Sequence, residues 1–354
     1  MSEAGHVLDE AIDGAPEPRL RARAEVEREL VRLETETSVG TDQARSVVDT
    51  VMPLLEGEGD DYGLSRVWLL RGWLAYELGH VASADESWCE SAESLRRAHR
   101  RRELFEVIGW RALAAVLGPT PVDEAIGRCE EFRELVRPSP IATASTLNPL
   151  AVLHAMKGEF EIAETLLQQA GEMLNELGGI GSGVSHLETW VRLLAGRPDL
   201  AEARLRADVD TLSSMNAGAA LATTTALLAQ VVYAQGRMEE AGELCRMTES
   251  RAAAEDTMTQ VTWRGVQAKV LARGGRCDEA EALAREAVAL AEPTDLLLHR
   301  GDAMLDLAEV LRTCKRSEES DHAARTALEL YELKGNVAAA ARARPLLSPR
   351  TGDK

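Results

Sequence analysis

Aromatic residues make up only 4% of the 354-residue chain and prolines number 12, so neither aromatic-rich sheet cores nor frequent helix breaks shape it. No apolar run approaches the roughly 20 residues that a membrane-spanning helix needs. The opening MSEAGHVLDEAIDGAPEP has no basic start followed by an apolar core, so we expect an unexported, cytoplasmic protein. Positive charge is also short: 40 Lys and Arg against 59 Asp and Glu give a net charge of -19. Nucleic acid and anionic membranes, which need concentrated positive potential, are thereby disfavoured as partners.

Motifs for chemistry are missing as well. The five cysteines, at 89, 129, 245, 277 and 314, contain no Cys-x-x-Cys pair, and their odd count suggests reduced thiols. Seven histidines, at 6, 80, 99, 154, 186, 299 and 322, contain no His-x-x-x-His pair, so no metal site is expected. No G-x-x-x-x-G-K-[ST] loop is present to cradle phosphates. GIGSGVS at 179–185 superficially resembles a nucleophile elbow but reads as a loop between two helical units. No acid pair stands alone in an apolar segment. Together these absences predict a protein without a catalytic site or cofactor.

What is present is a repeat. Gly40, Gly79, Gly118, Gly158, Gly196, Gly236 and Gly275 each follow an apolar helical stretch and precede another helix, with Lys315 in the next such place; the intervals are 39, 39, 40, 38, 40, 39 and 40. A period near 39 residues over most of a chain marks a repeat array. Glycine suits a helix end that turns left-handed. Five residues further on, Ala84, Ala163, Ala201, Ala241 and Ala280 supply a small side chain where a second helix, B, would cross the first, A. Turns such as GRPDLAEA (196–203) and GRCDEAEA (275–282) place carboxylates in the first turn of helix B, next to the positive end of its dipole.

These residues carry a family resemblance. In LLRGWLAYELGHVASADESW, Gly72, Gly79, Ala84 and Trp88 resemble the Leu-Gly, Gly, Ala and aromatic positions of a tetratricopeptide (TPR) unit. The resemblance implies an all-α fold: an α-solenoid, wound as a right-handed superhelix, of about eight TPR-like hairpins with a C-terminal capping helix near 336–347. The period of 39 exceeds the usual 34 and implies longer helices. Residues 289–344 further resemble the closing repeats of bacterial proteins that join a cyclase-like module, a P-loop ATPase and a TPR region; LuxR-type regulators with ATPase and TPR parts are similar. We expect a mobile acidic tail at 1–17, the solenoid at 18–347 and a disordered tail at 348–354.

In TPR arrays helix A lines the concave wall. With the turn glycines as register marks, the resemblance places Arg66, Trp73, Tyr76, Asn148, His186, Trp190, Gln230, Tyr233, Lys269, Arg273, Glu309 and Arg312 in a groove that could hold a peptide. The aromatic members could equally pack between hairpins. Pro149, within a helix A, predicts a delayed start capped by Asn148 or a kink. The basic run at Arg96, Arg97, His99, Arg100, Arg101 and Arg102 suits either an acidic partner or a solvated helix end, and Cys245 reads as a buried core residue. Two functions follow: a regulatory scaffold that binds a protein or peptide, or a solenoid that senses a metabolite or nucleotide, or is divergently enzymatic, with an anion in the groove. Pairing of two copies through the end repeats is a further expectation.

Overall fold

The computed structural model describes residues 3–35, 41–176, 182–215 and 217–347. They form eighteen α-helices and a final 3-10 turn at Arg344–Leu346, with no strand among the described residues. Helix α1 (Glu3–Gly14) precedes eight hairpins. These pair α2 (Pro18–Thr35) with α3 (Thr41–Gly57), α4 (Asp61–Glu77) with α5 (Val81–Arg97), α6 (Arg101–Leu117) with α7 (Val122–Val136), and α8 (Pro140–Lys157) with α9 (Phe160–Glu176). The second half pairs α10 (Ser182–Leu194) with α11 (Asp199–Met215), α12 (Gly218–Ala234) with α13 (Met238–Glu249), α14 (Thr257–Arg273) with α15 (Cys277–Ala291), and α16 (Leu297–Thr313) with α17 (Ser317–Lys334). Helix α18 (Val337–Ala343) caps the last hairpin. None of the described helices is long and apolar enough to cross a membrane.

The turn chemistry explains the period. Gly158 adopts φ 84°, its N–H donates to Ala155 O, and the next N–H, of Glu159, reaches back to His154 O. This left-handed C-terminal closure satisfies carbonyls that the helix leaves open. Gly79, Gly196, Gly236 and Gly275 repeat it, and Lys315 adopts φ 63° without being glycine. Gly118 differs, with φ −75° and ψ −174°. Pro119 follows it, and a residue before proline is driven to the extended region. Gly40 and the loop glycines at 179–181 lie outside the described residues.

The alanines five residues beyond these turns are all buried. At the corresponding place in the eighth hairpin stands Ser320, buried, with its hydroxyl donating to Ala308 O on the facing helix. Trp88 is wholly buried against Gly72, where an added Cβ would lie 2.2 Å from its indole nitrogen.

Three expectations are corrected. Glu3–Gly14 is a helix rather than a tail: Arg28 pairs with Asp9 at 3.3 Å, and Arg21 donates to Ile12 O and Ala15 O, a cation meeting the negative end of α1. Helix α8 does not wait for Asn148. It begins at Pro140, capped by Ser139, whose side chain accepts from Ala142 N, and carries Pro149 inside. Finally, Cys277 and Cys314 form a disulfide, leaving Cys89, Cys129 and Cys245 free. The bridge staples the turn of the seventh hairpin to that of the eighth.

The array curls until its last units reach its early ones. Asp295, in the loop after α15, accepts from Val81 N at 2.7 Å and Ala82 N at 2.8 Å, and its own N–H donates to Gly79 O. One carboxylate thus caps the first turn of α5 from some 214 residues away. Lys334, fully buried, donates to Ala115 O, Gly118 O and Thr120 O at the end of α6. Leu296, Leu298, Leu305, Tyr331 and Ala339 accordingly share one hydrophobic core with the first four hairpins.

Candidate functional site

Adjacent hairpins lie one repeat apart, so side chains 36 to 39 positions apart become neighbours. On the A helices these neighbours are matched by charge or by hydrogen bonding. Arg66 forks onto Glu27 at 2.5 and 2.8 Å, Lys269 donates to Asp306 at 2.6 Å, Arg273 donates to Glu309 at 3.1 Å, and the His186 ring meets the Thr224 hydroxyl at 2.8 Å. Neighbouring A helices are therefore joined by a ladder of pairs, each rung linking two hairpins.

The structure divides the twelve expected groove residues into groups. At the early end, Trp73 and Tyr76 stack edge-on and join Trp88 and Trp110 in an aromatic cluster, with Trp73 and Trp110 centroids 4.6 Å apart. Asn148 is buried, its Oδ1 without a partner among the described residues. Burial pulls the His186 imidazole down to about 4, so it is neutral at pH 7.

The later residues converge. Tyr233 donates to Glu309 and has the Lys269 ammonium 4.7 Å from its ring centroid. Burial opposes ionisation of Glu309, but Lys269, Tyr233 and Arg273 together hold its carboxyl below the ordinary value. Trp190 meets His299 edge-on at 5.9 Å. Trp190, Gln230, His299, Asp302, Asp306 and Arg342 border an inner cavity of about 40 Å³, room for a few waters at most. His299 is buried with Nδ1 unpartnered among the described residues, and burial lowers its pKa. Arg312 stands further out, donating to Pro345 O at 2.9 Å, beside a pocket of about 410 Å³.

Sequence reasoning missed His299, Asp302, Asp306 and Arg342. The signal for Asp306 was available: an acid 37 positions after Lys269, close to one repeat. The basic run is taken up locally. Arg96 pairs with Glu93 and Arg97 with Asp61, while Arg100 and Arg101 lie over Tyr62 and Phe105. Burial pushes the Cys245 thiol up to about 12, in keeping with a core residue. No cluster of three or more metal-ligating side chains occurs among the described residues.

Comparison with known proteins agrees with this architecture. A tetratricopeptide repeat family model matches residues 143–177, the hairpin of α8 and α9. No curated protein matches the sequence. The structure of aspartyl phosphate phosphatase F from Bacillus subtilis is similar at a TM-score of 0.52 and 13% identity, over 99% of this chain and 91% of that one. NprR in complex with its cognate peptide NprX is similar at a TM-score of 0.50 and 13% identity, over 92% and 82% of the two chains. The chain has a TPR-like helical repeat fold.

Proposed function

We propose that the protein is a non-catalytic regulatory scaffold that holds a peptide or a protein segment against the concave wall of its later hairpins. The observation that carries this reading is the convergence of Trp190, Gln230, Tyr233, Lys269, Arg273 and Glu309 on consecutive A helices. Flat aromatic faces beside alternating charges suit a partner with both apolar and polar side chains. The acids of the wall are already engaged by Lys269, Arg273 and Tyr233, an arrangement for recognition rather than proton transfer. NprR, of similar fold, was solved with a bound peptide. The likeness of residues 289–344 to the closing repeats of bacterial multidomain regulators supports a signalling or transcriptional setting.

Selection from a displayed random peptide library, followed by fluorescence anisotropy, tests this. Selected peptides should bind the wild type and lose at least tenfold in affinity to Trp190→Ala and Arg273→Glu. Equal binding by both variants would place the peptide surface elsewhere and remove the proposal.

A further inference from the structure

The outer pocket is chemically unlike the rest of this acidic chain. It lies where α14 and α16 end against α18 and the closing 3-10 turn. Three guanidinium groups, Arg273, Arg312 and Arg342, border it against a single carboxylate, Glu309, with Leu305 and Leu346 as apolar surface. Glu309 is committed to Arg273 and Tyr233, and Arg312 spends one N–H on Pro345 O. Arg342 is exposed and forms no ion pair among the described residues. It borders both the inner cavity and this pocket.

Two of the three guanidiniums thus present donors that no side chain among the described residues satisfies. Guanidinium groups recognise carboxylate and phosphate oxygens by paired, charge-assisted hydrogen bonds. The volume, about 410 Å³, falls within the range of small-molecule sites.

We propose that this pocket binds a small organic anion, with its carboxylate or phosphate oxygens between Arg312 and Arg342 and its apolar part on Leu305 and Leu346. The pocket borders the wall, sharing Arg273 and Glu309 with it, but its proposed contacts to Arg312 and Arg342 do not require a peptide. Its position suggests what occupancy does: an anion joining α16 to α18 ties the capping helix to the last hairpin. Cys277 and Cys314 lie within four residues of Arg273 and two of Arg312 along the chain, and their disulfide holds these two turns together.

Calorimetric titration of the whole protein with inorganic phosphate and, separately, with glutarate tests the site and distinguishes the two head groups. At least one probe should bind, and affinity should fall at least tenfold in Arg312→Gln and in Arg342→Gln. Glu309→Gln should bind more tightly than the wild type, because removing the competing carboxylate frees Arg273; a gain cannot arise from misfolding. Heat from neither probe, or binding unaltered in both arginine variants, would overturn the proposal. Because no peptide is used, either result leaves the peptide test independent.

Discussion

Asp295→Ala is the sharpest single perturbation of the ring closure. The Asp295 carboxylate takes two backbone N–H groups, of Val81 and Ala82, at 2.7 and 2.8 Å. A hydrogen bond to a charged group contributes about 1.5–3 kcal/mol, and loss of a helix N-cap costs about 1 kcal/mol. Ala82 is exposed, so water replaces part of what it loses. The expected net cost is therefore about 2 kcal/mol, which raises the population of the opened ring about 30-fold. Hydrogen exchange resolved to single amides is the appropriate assay, since it reports local opening rather than global unfolding. The Val81 and Ala82 amides, and those of the loop around Leu296, should exchange faster by about that factor, while the amides of α12 and α13 stay unchanged. Unaltered exchange at Val81 would show that the carboxylate does not hold the early and late hairpins together.

Other consequences follow from the same contacts. Lys269→Ala leaves the half-buried Asp306 without its countercharge and should destabilise by about 3 kcal/mol, whereas Lys269→Met with Asp306→Leu should cost much less; chemical denaturation distinguishes them. Lys315→Gly should stabilise by about 1 kcal/mol, because φ 63° strains any side chain there, and a rise in melting temperature would show it. Burial, with Asp256 and Glu255 adding like charge, raises the Glu77 pKa. The folded protein then keeps a proton that the unfolded chain has released, so this group's contribution is lost as pH rises from the ordinary carboxylate range through the raised value. Glu77→Gln should therefore gain melting temperature relative to the wild type between about pH 5 and about pH 8; a constant difference would refute the shift.

The hairpins were legible in the sequence because each is a local event. A helix ends where a left-handed residue is available, and small residues recur where helices cross, so Gly158 and Ala163 declare themselves without tertiary information. Gly118 shows the limit of that reading: glycine marks the turn, but Pro119 decides its backbone. Pro149 misled because Ser139 and Pro140 start α8 a full two turns earlier. Residues paired across one repeat, such as Lys269 with Asp306 or Cys277 with Cys314, are encoded by a spacing near 39 that can be searched for directly. Contacts between distant repeats carry no such spacing. Asp295 at the α5 N-terminus and Lys334 at the α6 C-terminus depend on how far the superhelix turns, a sum of small rotations over five or six hairpins. For the same reason the division of the expected groove residues into an aromatic cluster at the early end and a charged cluster at the late end was not visible.

Closure of the array on itself is the claim on which the rest depends, and one crosslink tests it directly. A Cβ built on Gly335 lies 3.6 Å from the Val122 Cβ, within the 3.5–4.5 Å that disulfides span. In a Val122→Cys, Gly335→Cys variant, the left-handed backbone at position 335 (φ 81°) costs the new side chain about 1–2 kcal/mol, less than a native disulfide typically contributes, so mild oxidation should still yield an intramolecular bond, identified by peptide mapping, in most molecules at low protein concentration. Thiols that remain reduced at those two positions, or that pair only between molecules, would contradict a ring in which the eighth hairpin rests on the third.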